Sequence, residues 1–559
     1  MNRPASGSVS PAPRPWPIAF AIATFAFLLV WFGPLEYRNL VKPDEGRYAE
    51  IAREMAASGD WITPRLNAVK YFEKPPLQYW ATAAAYKLFG VHHWTARLWA
   101  ALTGFFGILA VWFTGRRVFG PESGLISALV AAGCVYYAAL GHINTLDMGL
   151  AFFTSLALFA FVLAQQARSR PEALRWMILS WGATAFAVLS KGLVAILLPA
   201  VSLVAYSAIA RDRSPWRRLF PLRGTLLLLA IAAPWFVAVS IVNPEFPRFF
   251  FIHEHFERYL TTAHHRDHPW WFFLPILLAG LLPWTTAALA AWKAAWRDTT
   301  GASAAFDPGR FLAVYCAVIL LFFSASGSKL PSYILPMFAP LALLTGPYLA
   351  RAEPRSLQWH ALPMLAAAIL MLVLTPSLVH VFRPAETGAQ MYESFGRWIQ
   401  AAGAVGVAAA LGALWLALRG KPLPAIISIA AGGLLASQVL MLGHDRLSPL
   451  SSSHAIARRI AADLQADAPF FNVRTYDHTL PFYLRRTFTL VEYGDEFEFG
   501  LQQQPDLALP TLEAFRTEWL AVPQAYALMG PDTFELLSQQ HLPMREIARD
   551  PRRVIVARQ

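Results

Sequence analysis

Residues Pro76–Gly90 read PLQYWATAAAYKLFG. The run is apolar, but it is short, follows Pro75 directly and contains Lys87. Crossing a bilayer takes about 20 apolar residues. The segment is therefore expected to be interfacial or re-entrant, and that choice sets the sidedness of every later loop. Runs near spanning length lie around it at roughly 18–34, 97–115, 123–141, 148–165, 174–190, 193–210, 225–242, 270–291, 311–326, 333–350, 360–380, 397–418 and 423–442, which makes thirteen expected spans. The first follows a Pro/Ser-rich N-terminus with Arg3 and Arg14. No small-residue cleavage site comes after it, so it is read as an uncleaved span.

The basic residues test this choice. With the N-terminus inside and thirteen spans, the inner segments hold Arg116/Arg117, Arg168/Arg170/Arg175, Arg211 to Arg223, Lys293/Arg297/Arg310, Arg351/Arg355 and Arg419/Lys421. With Arg3 and Arg14 these are 19 basic residues against six acidic ones. Making Pro76–Gly90 a span would move Arg116/Arg117 and all later clusters outside, against the positive-inside bias.

Composition agrees. Of 559 residues, 56% are hydrophobic and only 15% charged, where a soluble chain carries roughly 25%. The net charge of +12 sits in short clusters between apolar runs, not on one face, so no nucleic-acid partner is expected. Two cysteines, Cys134 and Cys316, both within apolar runs, exclude a disulfide framework. The fold expected is an all-α polytopic membrane domain (1–442) with outer loops at 35–96, 141–147, 243–269, 326–332 and 381–396. A soluble outer α/β domain (443–559) follows. Its strands are expected at Phe470–Val473, Phe488–Val491 and Val554–Val556, with helices over Thr511–Trp519 and Asp532–Gln540.

Thirteen of the 14 histidines fall on the outer side. There too lie Lys42-Pro43-Asp44-Glu45-Gly46-Arg47-Tyr48 and Tyr71-Phe72-Glu73-Lys74-Pro75-Pro76. Either motif alone reads as a solvated interfacial loop. Their convergence with His142, Asp147, the histidine-rich loop and Lys329 on one face points instead to a phosphate-bearing lipid substrate, since lysine binds phosphate as a point charge and arginine as a fork.

The stretch DEGRYAEIAREMAASGDWITPRLNAVKYFEKPPLQYW (Asp44–Trp80) resembles the first outer loop of the lipid A 4-amino-4-deoxy-L-arabinose transferases. These belong to the GT-C class that includes protein O-mannosyltransferases. The resemblance continues at NTLDM (Asn144–Met148), EHFERY (Glu254–Tyr259), KLPSYILP (Lys329–Pro336) and DHTLPFYLRR (Asp477–Arg486), over nearly the whole chain. It implies that Asp44 is the carboxylate at the reaction centre and that Asp147 is a second acid facing it. It implies that Lys74 and Arg258 hold the donor phosphate, with Arg47 and Tyr333 lining the site. Arg47 also counts as a phosphate candidate, and Glu45, Tyr48, Tyr71 and Lys329 are further lining candidates. A sugar transfer with inversion needs an anionic surrounding for the oxocarbenium-like sugar and cations for the departing phosphate. An acceptor phosphate is already anionic and needs no base. On that footing Asp44 and Asp147 stabilise the positive sugar or pair its ammonium group.

Other residues carry two readings. Glu73 with His255 is the candidate pair for a divalent metal such as zinc; structural histidines are the plainer alternative. Lys191 and Lys329, at outer span ends, either snorkel to the interface or meet phosphate. Trp270-Trp271 reads as an interfacial anchor, and Asp495/Glu496/Glu498 as a solvated face. The expected function is transfer of aminoarabinose from undecaprenyl phosphate to a lipid A phosphate, at the periplasmic face of the bacterial inner membrane, by a monomer surrounded by membrane lipids. The result is resistance to polymyxin and other cationic peptides. One alternative is a relative acting on a protein or glycan hydroxyl. Another is a lipid transporter or flippase, which would keep ionisable groups mid-membrane, where these spans have almost none.

Overall fold

The computed structural model describes residues 16–257, 268–297, 306–381 and 389–559. The donor-phosphate role expected of Arg258 and the metal role expected of the His255 side chain lie outside the described residues.

Each of the thirteen apolar runs is wholly or largely helical. Nine give helices long and apolar enough to cross a bilayer among the described residues, from His93–Val118 to Pro422–Ser451. Two are shorter, Phe20–Leu35 and Val194–Ile209. The remaining two are broken, which corrects the expectation of continuous spans there. Run 123–141 divides into Pro121–Gly133 and Val135–Leu140. Run 270–291 divides into Phe273–Gly280 and Thr285–Arg297, which meet at 110°. Pro283 has no N–H to continue the helical ladder. The two breaks lie against each other: Val135 N–H donates to Leu282 O at 2.9 Å and Cys134 Sγ to Gly280 O at 3.0 Å. Each break thus supplies partners for the other, as backbone polar groups away from water require. The outward faces of Pro221–Val242 and Pro354–Val379 are apolar and exposed, as lipid-facing helices are. This is a multi-pass membrane protein.

The first outer loop is more regular than its sequence suggests. Helix α1 (Trp16–Phe32) leads through a short turn to α2 (Asp44–Ser58), then to a hairpin of β1 (Arg65–Leu66) and β2 (Val69–Lys70), and to α3 (Leu77–Phe89). Helix α3 has 13 residues, too few to span, as expected. Helix α4 (His93–Val118) then enters the bundle. The hairpin turns on Asn67 and Ala68, both at positive φ (55° and 64°), the geometry a two-residue hairpin needs. Both turn N–H groups donate to the Glu54 carboxyl, at 2.5 and 2.8 Å. Burial, then the neighbouring Glu50, pushes Glu54 up to about 8.

The outer domain is a six-stranded sheet in the order β5-β4-β3-β6-β8-β7. Its strands are β3 (Phe470–Val473), β4 (Thr489–Val491), β5 (Ala508–Leu509), β6 (Tyr526–Met529), β7 (Met544–Arg549) and β8 (Val554–Arg558). Strands β5, β4, β3 and β6 run parallel, while β8 and β7 complete an antiparallel edge. The anticipated strands and both anticipated helices are present, as Leu512–Ala521 and Pro531–Gln539. The domain is clamped onto the first loop. Asn67 donates to Phe488 O and accepts from Phe488 N, both at 2.7 Å, and Lys70 N–H meets Gln504 Oε1 at 2.9 Å. Helix α2 lies so close that a Cβ at Gly46 would stand 2.5 Å from His478 O.

Candidate active site

Glu45 is the anchor of the loop. Its side chain is buried (1% exposed) and accepts a fork from Arg38 at 2.8 and 2.9 Å and another from Arg97 at 2.8 and 3.0 Å. The N–H groups of Val41 (3.0 Å) and Asn144 (3.1 Å) complete the shell. Arg97 also donates to the carbonyls of Leu35, Arg38 and Asn39. Burial alone would raise the Glu45 pKa. The two guanidinium groups outweigh it and hold the carboxyl well below the usual carboxylate range. The expectation that Glu45 lines substrate is therefore corrected: all its acceptor capacity is used inside the protein, and it fixes the first turn of α2.

That turn carries Asp44, whose carboxylate is 44% exposed and pairs loosely with Arg47 Nη1 at 3.4 Å. Arg47 turns its Nε to Glu496 Oε2 at 2.7 Å, and Glu496 in turn bonds His478 Nε2. Burial disfavours the charged Arg47, but Tyr71, Glu496, Tyr48 and Glu73 around it raise its pKa well above the guanidinium norm. The solvated-face reading of Glu496 is overturned: its side chain is 7% exposed and meets the first loop. Tyr48 and Tyr71 stand in the same group, with Tyr79, their phenols pushed up by burial and then by nearby charges. The Tyr71 and Tyr79 hydroxyls are buried without a hydrogen-bond partner among the described residues.

Lys74, at the end of the same loop, reaches Glu254 Oε2 at 3.0 Å, Glu73 O at 2.7 Å and Glu73 Oε2 at 3.8 Å. No group of three or more His, Cys, Asp or Glu fit to hold a metal occurs among the described residues. Among the described residues Glu73 faces Lys74. His142 is structural, buried with its ring nitrogens 2.6 Å from Ala138 O and Trp31 O.

A second cluster lies at the ends of the spans. Asp147 opens the helix Leu146–Gln166 and pairs with Lys191, which closes Arg170–Lys191. Lys191 also stands 4.9 Å over the Tyr333 ring. The snorkelling expectation for Lys191 gives way to this ion pair. Lys329 is buried (5% exposed), with Nζ on Ser326 O at 2.5 Å, so it holds its own turn. Asp44 and Asp147 do not touch. Asn144, three residues before Asp147, donates its N–H to Glu45, and its Oδ1 accepts from Gln78 at 2.6 Å. Sequence reasoning missed Arg38, Arg97, Glu496 and His478. Arg97, a charge at the mouth of a span, carried a signal, as did His478, which stands in the Asp477–Arg486 motif.

A family described as the aminoarabinose transferase C-terminal domain matches residues 456–558. One described as dolichyl-phosphate-mannose-protein mannosyltransferase matches residues 73–237. The crystal structure of ArnT from Cupriavidus metallidurans bound to undecaprenyl phosphate superposes with a TM-score of 0.92 at 39% identity, covering 98% of each chain. The chain belongs to the ArnT family. The undecaprenyl phosphate-alpha-4-amino-4-deoxy-L-arabinose arabinosyl transferase of Erwinia tasmaniensis is 34% identical over 370 residues, 63% of this chain and 65% of that one. The protein of that name from Pseudomonas aeruginosa is 35% identical over 331 residues, 58% of this chain and 59% of its own length. These matches span less than two thirds of the curated relatives' length. The family explains the division of labour seen here, a helical bundle carrying the charged loop and a small α/β domain packed over it.

Proposed function

We propose that this protein transfers 4-amino-4-deoxy-L-arabinose from undecaprenyl phosphate to a phosphate of lipid A, as a monomer, at the periplasmic face of the inner membrane. Residues 1–442 form the membrane domain and residues 443–559 the outer domain of this enzyme. The observation that carries the reading is the likeness, over nearly the full length of both chains, to an ArnT crystallised with undecaprenyl phosphate. The chemistry of the first loop supports it.

The donor phosphate, a diester with one negative charge that gains a second as C1 departs, is taken up by Lys74, which exchanges its contact with Glu254 for one with that phosphate; Arg258 is the second cation. As the bond from C1 to the donor phosphate breaks, its electron pair leaves with undecaprenyl phosphate. An acceptor phosphate oxygen forms the new bond to C1 from the opposite side. No proton moves. The half-exposed Asp44 carboxylate, held in place by the Glu45 clamp, stabilises the positive sugar, and the Tyr71 and Tyr79 hydroxyls are free to bond it. Asp147 serves the same charge from the span ends.

This chemistry predicts that purified protein will modify lipid A only when a free phosphate is present. Mass spectrometry of lipid A before and after phosphatase treatment checks it. Equal modification of the dephosphorylated lipid would point to a hydroxyl-directed relative. A second prediction concerns the outer domain. Glu496→Gln removes the counter-charge of Arg47 and should lower kcat/KM roughly tenfold while the circular dichroism of the protein stays unchanged. Wild-type turnover in that variant would show that Arg47 needs no support from the outer domain.

A further inference from the structure

Lys42 opens the loop motif but belongs to neither cluster described above. Its N–H bonds to Ser451 O at 2.8 Å, next to the serines that hold Arg553: Ser452 O accepts from Arg553 Nη2 at 2.9 Å, and Ser453 Oγ contacts Nη1. The backbone of Lys42 is thus fixed against the outer domain where Arg552 and Arg553 lie. Five charged groups gather there. Asp477 is shared by Arg553 at 2.5 Å and Arg552 at 3.3 Å, and Asp550 pairs with Arg553. Three cations thus face two carboxylates. Both acids are occupied by arginines, and Lys42 forms no ion pair among the described residues. Arg552 keeps its Nε buried without a hydrogen-bond partner. Burial, and after it the proximity of Arg552, holds the Lys42 ammonium below the usual lysine range. Like charges held together in this way repel unless an anion comes between them.

The position suits one anion. Asp44 is two residues from Lys42, so their Cα atoms are at most about 7 Å apart. The donor phosphate is served by Lys74, which is engaged by Glu254 elsewhere in the loop. A displacement at C1 needs the entering and leaving phosphates on separate cations, because they approach and depart on opposite faces of the sugar.

We propose that Lys42 and Arg552 bind the phosphomonoester of the acceptor and hold it beside Asp44. The assignment rests on the phosphate-acceptor reading above. Lysine supplies a point charge and arginine a directed donor pair. The bound oxygen attacks C1 as an anion and has no proton to lose.

The experiment uses the full-length protein in lipid nanodiscs, with binding of phosphorylated lipid A measured in the absence of donor and transfer measured separately. Lys42→Gln removes the exposed charge, and Arg552→Lys retains charge beside Asp477 while removing the fork. Lys42→Gln should weaken lipid A binding and raise its KM about tenfold, the size of one charge-assisted hydrogen bond, with undecaprenyl phosphate binding within about twofold of wild type. Arg552→Lys should show a smaller loss of the same kind. Unchanged lipid A binding in Lys42→Gln, or an equal loss for undecaprenyl phosphate, overturns the proposal. Inorganic phosphate that competes as strongly as lipid A would reassign the site to the free ion and also overturn it. If the wild type binds lipid A through Lys42 yet transfers nothing to it, the site stands and the proposed function falls.

Discussion

Glu45→Ala is expected to destabilise the protein by about 3–5 kcal/mol, the cost of leaving buried charge unpaired. The mutation removes a carboxylate that two forked guanidinium groups share at 2.8–3.0 Å. Arg38 and Arg97 are themselves buried (6% and 1% exposed) and would be left with each other as neighbours. Glu45→Gln should cost less, since it keeps part of the hydrogen bonding. The pH dependence has a definite sign. The folded-state pKa of Glu45 lies below its unfolded value, so its stabilisation is present above the ordinary carboxylate range and is lost as pH falls through the folded pKa. The clamp should therefore be insensitive to pH near neutrality and fail only in strong acid. Thermal unfolding in detergent, run for wild type and both variants across that range, reads the effect directly. A melting temperature for Glu45→Ala equal to that of the wild type would sink the idea that this clamp holds the loop.

Asp44→Asn should behave in the opposite way, leaving the fold intact and removing the reaction. Its carboxylate is 44% exposed and among the described residues meets only Arg47, at 3.4 Å, so unfolding should be near that of the wild type. Loss of a group that stabilises transition-state charge costs about 10²–10³ in kcat, and a fall of that size is expected here. Undecaprenyl phosphate should still bind, because Lys74 and its surroundings are untouched. Single-turnover transfer with direct measurement of lipid binding separates the two quantities. Retained turnover would remove Asp44 from the chemistry, and lost lipid binding would make it a donor ligand instead.

The two neighbours Asp44 and Glu45 show where sequence reading stops. Both are acids at the start of one helix, in one motif, and the motif by itself turns both toward substrate. Helical geometry separates them by about 100° around the axis, so one turns to the opening and the other to the bundle. Nothing local indicates which. The arginine that settles it, Arg97, is 52 residues further on. The strand Tyr526–Met529 escaped notice for a related reason. Its residues are not β-branched, and it is a strand because it is buried between β3 and β8. Likewise Asp495, Glu496 and Glu498 are alike in sequence, yet Glu496 is claimed by Arg47 from more than 400 positions away, and by His478.

The sequence by itself determined the membrane character, that Leu77–Phe89 is too short to span, and the strands of the C-terminal domain that are bounded by turns. These follow from hydropathy and period, which depend on neighbours along the chain. Only the tertiary structure decided that two spans are broken and brace each other, that Glu45, Lys329 and His142 are structural, and that the outer domain supplies Glu496, His478 and Arg552 to the first loop. Each of those outcomes depends on which charge or backbone group arrives from a distant segment. In a buried, weakly screening environment that partner decides whether a charge is held or exposed.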